Sequence, residues 1–272
     1  MSSFYDRYST ERRRKGSVLC VGLDPDPARL PEGYDRGDII PAIRSFLADV
    51  IRATGELAVA YKPNLAFFEV LGPRGMELFA DVLEEVRSLA PEALIIADAK
   101  RGDVGHTAER YAKTFFETYQ CDAVTLRPYM GMDTIDPFLA YRERAAIVLC
   151  HTSNAGAPEF QESGEPPLYL RMAAAVATRN EETGNLWMVV GATRDPASIR
   201  RIRDEAPDVP LLVPGVGAQG GDLEGVLEAA GQDVLIYAGR AILYAAPERD
   251  GVARAAAAEA ERLVRVMRTY LS

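Results

Sequence analysis

A chain of 272 residues, 48% apolar and 26% charged, has the composition of a globular protein that can bury one large core or two small ones. Its 31 basic and 40 acidic side chains leave a net charge of −9. This excludes sequence-independent binding to nucleic acid or to an anionic membrane, which draws its affinity from basic patches, so an anionic ligand would need a local basic pocket.

The chain opens with a helical lead-in, about residues 1–16, that carries the basic run Arg12-Arg13-Arg14-Lys15. The apolar run behind it is short and interrupted by Asp24, unlike a secretory core or a membrane span. The basic run is therefore expected to be a solvated helix face, and the protein to be cytoplasmic with no membrane partner.

Eight apolar runs follow: Val18 to Leu23, Leu57 to Tyr61, Leu94 to Ala97, Ala123 to Leu126, Ala146 to Cys150, Leu186 to Val190, Pro210 to Val213 and Val234 to Ala238. The segments between them place apolar residues at helical spacing, as in Met76, Phe79, Leu83 and Val86, or Val252, Ala256, Leu263, Val264 and Met267 in the last. One helix is expected after each strand. Continuous apolar strands need cover on both faces, and closure removes both edges, so the pattern predicts an α/β fold of the (β/α)8 TIM barrel type. No stretch reads as a linker, and residues 1–272 are expected to form a single domain. The Gly/Pro/Glu-rich part of the loop 154–167 after the fifth strand is expected to lie over the site.

Cys20, Cys121 and Cys150 sit in or beside apolar runs with no Cys-x-x-Cys spacing, the pattern of small buried hydrophobes in a reducing compartment. His106 and His151 are far apart and belong to no His-Glu-x-x-His pattern. Neither a disulfide nor a metal is expected.

In such barrels chemistry collects at the carboxyl ends of the strands. There the sequence places Asp24, then Lys62-Pro63-Asn64, then Asp98-Ala99-Lys100-Arg101-Gly102-Asp103, then Thr152-Ser153-Asn154, and last Gly239-Arg240. Side chains two apart on a strand share a face, so Asp98 and Lys100 should point the same way, with Asp103 following a glycine turn. Carboxylates on either side favour the charged form of a lysine, which makes Lys100 an acid and not a nucleophile. The bland alternative for these residues is a salt bridge at a strand end.

After the seventh strand, Pro214-Gly215-Val216-Gly217-Ala218-Gln219-Gly220-Gly221-Asp222 offers backbone N–H groups at a helix start, which suits a phosphate. Arg240 can add a forked cationic donor. Gly215, Gly217 and Gly220 also satisfy the dinucleotide fingerprint, but they lie late in the chain and the next strand does not end in an acid.

The stretch from Asp98 through Asp103, Val104 and Thr107 resembles the signature of orotidine 5'-phosphate decarboxylases, an Asp-x-Lys-x-x-Asp followed by an aliphatic residue and then a threonine. The resemblance runs from Val21-Gly22-Leu23-Asp24 to Ala238-Gly239-Arg240. With Tyr61-Lys62-Pro63-Asn64-Leu65-Ala66-Phe67-Phe68-Glu69 it is similar to the longer bacterial, type 2 branch. It implies decarboxylation of orotidine 5'-phosphate to uridine 5'-phosphate, in pyrimidine biosynthesis, with no cofactor.

By the same resemblance, Lys100, Asp98, Asp103 and Lys62 form the catalytic set. Asp24 and Lys62 bind ribose hydroxyls, Ser153 bonds the pyrimidine with Thr152 as the alternative, and Gln219 and Arg240 hold the phosphate. Asn64 and Gly239 complete the substrate contacts. Asp103 and Thr107 reach into a neighbouring subunit's site, which implies a homodimer.

Three rivals share parts of this pattern. A magnesium-dependent sugar-phosphate decarboxylase of the keto-gulonate type would be sensitive to chelators. A Schiff-base aldolase needs a lysine that loses its proton readily, which Asp98 and Asp103 oppose. A binding module that lost catalysis would have little reason to keep the acid-lysine-acid set.

Overall fold

The computed structural model describes residues 2–192, 196–216 and 222–271. Eight strands close into a barrel in sequence order: β1 (Leu19–Leu23), β2 (Ala58–Pro63), β3 (Leu94–Arg101), β4 (Ala123–Leu126), β5 (Ala145–His151), β6 (Leu186–Val190), β7 (Leu211–Pro214) and β8 (Val234–Ala238). The predicted strand number and fold class are met. Every residue of β1, β2, β4 and β6 is buried, as parallel strands covered on both faces must be.

The expectation of one helix per strand is too simple. Two helices follow β2 (Ala66–Glu69, Gly72–Leu89), two follow β5 (Ala157–Phe160, Leu168–Thr183) and two follow β8 (Arg240–Leu243, Arg249–Arg268). In each case a single turn of helix leads into the long one; Val70-Leu71 separate the first pair, a stretch with Gly164, Pro166 and Pro167 the second, and one with Pro247 the third.

Contacts group the chain into two compact units. One contains residues up to Arg7 with Lys100–Tyr237, and the other contains Tyr8–Ala99 with the residues from Ala238 onward. In the first, Phe4 stands edge-on to Trp187 with centroids 5.2 Å apart, and one oxygen of Asp122 takes both Arg7 and Arg144 at 2.7 Å. The β5–β6 register slips between Leu149 and His151, a bulge that bends the chain just before Thr152 and Ser153. The helix Leu168–Thr183 stops at Gly184, whose φ of 68° lets its N–H cap the Asn180 carbonyl at 2.8 Å.

In the second unit the helix Ile39–Thr54 starts where the Asp38 carboxylate accepts the Ile40 N–H. It buries Ala42, Ile43, Phe46, Leu47, Val50 and Ile51 at helical spacing, packed on Gly72–Leu89 and Arg249–Arg268. Each large apolar side chain removed from water this way contributes roughly 1.5–3 kcal/mol.

Two expectations are corrected by packing. The helix Phe4–Lys15 does not carry its whole basic run in solvent: Lys15 is only 6% exposed. Its Nζ donates to the Gly55 and Ala58 carbonyls at 2.9 and 2.6 Å and lies 3.4 Å from Glu11. The segment read as the loop 154–167 is not all loop either, since it contains the helix Ala157–Phe160 and returns Gln161 and Glu162 to the end of β5.

Cys20, Cys121 and Cys150 are buried, as expected of small hydrophobes, and burial pushes the thiols of Cys20 and Cys150 up to about 12. Among the described residues, no helix is long and apolar enough to cross a membrane.

Lys15→Met removes the donor to two carbonyl oxygens, one buried and one part-buried, and is expected to lower the unfolding free energy by about 2 kcal/mol. The exposed Arg13→Ala should stay within about 0.5 kcal/mol of the parent. Denaturant titration of the two variants side by side checks both values.

Candidate active site

The buried centre of the second unit is an ion pair. The end of β2 carries Lys62 and β3 carries Asp98, each following an apolar run, and the Lys62 ammonium donates to Asp98 Oδ2. The two residues are 4% and 7% exposed, a depth at which a charge persists only when paired. Burial pulls the Lys62 pKa down, but the Asp98 and Asp24 carboxylates outweigh it and hold the ammonium above the usual lysine range. A raised lysine pKa contributes stability that is complete below the ordinary lysine value and is lost only as pH climbs through the raised one. At neutral pH the Lys62 ammonium is therefore in place.

Asp24, half-buried, follows β1. Its loop is fastened by Tyr244, whose hydroxyl donates to the Asp24 carbonyl at 3.2 Å and accepts the Asp26 N–H at 2.7 Å. Arg29 lies over the Tyr244 ring at 4.2 Å. Tyr244 directly follows the turn Arg240–Leu243, so one side chain ties the loop after β1 to the loop after β8. There Gly239 is buried and Arg240 exposed. Asn64 uses its side-chain oxygen to accept the Ala66 N–H at 3.2 Å, while the backbone beside it bridges to Asp98.

In the first unit the defining residue is Lys100. The sequence ends the third strand at Ala97, whereas β3 continues to Arg101, because partners in β4 and just after it keep receiving it. The Lys100 N–H donates to Thr125 Oγ1 at 3.0 Å, Arg127 Nε donates to the Lys100 carbonyl at 2.9 Å, and the Arg127 N–H donates to the Arg101 carbonyl at 2.8 Å. Lys100 itself is half-buried with φ of 45°. Its backbone is thus not the extended one that the alternation rule assumes, and for a side-chain-bearing residue this conformation costs about 1–2 kcal/mol.

Asp103, half-buried, accepts the Val104 N–H at 2.8 Å, and Thr107 lies exposed in the first turn of the helix Gly105–Lys113. Thr152 is committed to its own loop. Its N–H donates to Gln161 Oε1, and its hydroxyl accepts from Gln161 Nε2 and donates to Asn154, all at 2.7 Å. Ser153 is half-buried against Gly191, where a Cβ would come within 2.7 Å of the serine Cβ. His151 is structural: its ring stacks on Tyr169 at 4.3 Å and its Nε2 lies 3.2 Å from Glu162.

The second unit thus joins Asp98 to Lys62 and Asp24, and chain continuity sets Lys100 two residues after Asp98. Gln219, with Gly217, Gly220 and Gly221, lies outside the described residues. The flanks of that loop are Gly215, with φ of 103°, and Asp222, directly before the helix Leu223–Ala230. Sequence reasoning gave no role to Thr125, Arg127, Gln161 or Tyr244. Thr125 carried a signal, as the lone polar residue in the strand Ala-Val-Thr-Leu. Among the described residues, no three His, Cys, Asp or Glu side chains cluster as a metal site.

Comparison with known proteins places this geometry in a family. The family model described as "Orotidine 5'-phosphate decarboxylase / HUMPS family" matches residues 17–256. Orotidine 5'-phosphate decarboxylase of Verminephrobacter eiseniae is 43% identical over 277 aligned positions, covering 98% of this chain and 99% of that one. Among solved structures, Leishmania donovani OMP decarboxylase superposes with a TM-score of 0.83 at 34% identity, over 98% of this chain and 99% of its own. The UMP synthase of the same organism superposes with a TM-score of 0.86 at 35% identity over all of this chain, which spans 57% of that longer one. With a family match over most of its length and relatives of this similarity, the chain belongs to the orotidine 5'-phosphate decarboxylase / HUMPS family.

Proposed function

We propose that this chain, acting as one catalytic domain in the cytoplasm, is a decarboxylase, a carbon–carbon lyase that converts orotidine 5'-phosphate to uridine 5'-phosphate and carbon dioxide. The observation that carries the proposal is the buried Lys62–Asp98 pair in strands β2 and β3, with Lys100 two residues further along β3.

The substrate carboxylate lies beside Asp98, which Lys62 keeps ionised and oriented. The bond from ring carbon-6 to the carboxylate carbon breaks, its electron pair stays on carbon-6, and neutral carbon dioxide leaves. Negative charge therefore develops next to the Lys100 ammonium, and their attraction grows toward the transition state, which is the condition for raising kcat. Lys100 then gives a proton to carbon-6 and regains one from solvent. No step in this scheme calls on a metal or an organic cofactor.

Asp24 and Lys62 bind the ribose, with Asn64 near them. Gln219, Gly239 and Arg240 receive the phosphate. Ser153 bonds the pyrimidine, a role that the commitment of Thr152 to Gln161 and Asn154 supports.

The enzyme works as a homodimer in which Asp103 and Thr107 complete the partner's site. Support comes from the exposure of Thr107, and from Val104, Tyr129 and Met130 of the same unit, apolar side chains 48%, 90% and 57% exposed in the single chain. A second copy would cover such residues.

Purified protein should consume orotidine 5'-phosphate at the same rate with and without chelator, followed by the loss of orotate absorbance. Lys100→Ala should lower kcat on the order of 10⁴-fold while the protein stays folded. Activity that survives this substitution overturns the mechanism, and activity that needs magnesium and a sugar-phosphate acid points to the keto-gulonate type instead.

Mixing Lys100→Ala with Asp103→Ala should rebuild one intact site in each mixed dimer and restore about a quarter of parental activity after random exchange. No recovery, with exchange shown by native mass spectrometry, places each site within one chain. Tyr244→Phe keeps the ring but frees the Asp24 loop, so KM should rise about ten-fold with kcat nearly constant; equal kinetics in the two proteins would refute that tether.

A further inference from the structure

We infer that Thr125 and Arg127 are positioning residues that fix the direction of the Lys100 side chain by clamping its backbone. The inference rests on the proposed role of Lys100 as the cation that meets the developing charge.

Two torsions, φ and ψ, decide where the Cα–Cβ bond of a residue points, and they are set by the peptide groups on its two sides. Both groups at Lys100 are held. On the amino side its N–H donates to Thr125 Oγ1 at 3.0 Å, and on the carboxyl side its carbonyl accepts Arg127 Nε at 2.9 Å. The next carbonyl, of Arg101, takes the Arg127 N–H at 2.8 Å. At Gly102 a Cβ would stand 2.2 Å from the Arg127 carbonyl oxygen, so only glycine permits the close approach that the clamp needs.

This gives the positive φ of Lys100 a cause. A side-chain-bearing residue persists in the left-handed region only where its surroundings over-determine it, and here two consecutive residues, Lys100 and Arg101, are gripped from β4 and the residue just beyond it. The grips are chemically specific. Thr125 is 1% exposed within an otherwise apolar strand. Valine would fill the same space, so what distinguishes threonine there is its acceptor oxygen. Arg127 is exposed, and nothing in packing demands a guanidinium; its Nε, bonded to Cδ, is the atom that reaches the carbonyl. Misplacing a reacting group by about 1 Å costs on the order of 10²-fold in rate, and the ammonium sits four methylenes from the Cα being aimed.

The test uses the intact protein and four variants. Thr125→Val and Arg127→Ala are expected to lower kcat by about 10-fold to 100-fold with KM for orotidine 5'-phosphate and affinity for uridine 5'-phosphate changed by less than about two-fold. Thr125→Ser keeps the hydroxyl. Arg127→Gln keeps a donor nitrogen on Cδ without the charge. Both should recover most of kcat.

Amide hydrogen exchange at Lys100 provides a readout independent of turnover, and it should accelerate in Thr125→Val and slow again in Thr125→Ser. If the parent turns over and loses activity in Lys100→Ala, yet the folded Thr125→Val and Arg127→Ala match its kcat, the clamp is refuted. A loss of kcat that neither conservative variant repairs also refutes it. If the parent itself fails to decarboxylate the nucleotide, the proposed function falls, and the exchange data alone decide whether the clamp exists: unchanged Lys100 exchange in Thr125→Val rejects it.

Discussion

Taking a lysine and an aspartate out of water demands that each find the other, and at the ends of β2 and β3 the Lys62–Asp98 contact meets that demand. The pair offers little net stability compared with an apolar pair of the same size, because desolvation offsets most of the attraction. What it secures is a carboxylate held in one orientation at a buried position. The neighbouring features serve that arrangement: the Asp24 loop held by Tyr244, the backbone bridge between Asn64 and Asp98, and the extension of β3 past its apolar run.

A second layer of order consists of hydrogen bonds from side chains to backbone groups. Lys100 and Thr152 are both placed through their backbone atoms, one by Thr125 and Arg127 and the other by Gln161. Chemistry at a barrel mouth needs groups fixed to within fractions of an ångström, and strand ends lose the ladder that fixes the strand interior. Side-chain-to-backbone bonds take over where that ladder stops.

The division between what could be read from residues alone and what could not follows from this. The eight apolar runs announced the barrel because burial on both faces leaves a continuous signature, and Asp24, Lys62, Asp98 and Lys100 announced themselves as charges at the ends of those runs. Hydropathy stopped the third strand at Ala97 because it cannot register pairing that continues through polar residues. It left Lys15 in solvent because the carbonyls of Gly55 and Ala58 that receive it lie far along the chain. Gln161 gave no warning at all within a Gly/Pro/Glu-rich stretch. Thr125 did, since a hydroxyl within an apolar strand calls for a bonding partner.

The glutamine that grips Thr152 has one more implication. Its amide presents one acceptor and one donor to a matching N–H and hydroxyl, so dipoles without net charge make this fastening. Dissolved ions weaken the attraction between exposed charges over distances near 10 Å, but they leave such a fastening almost untouched. The polypeptide that follows β5 is therefore anchored at this point with equal firmness in dilute and in concentrated electrolyte.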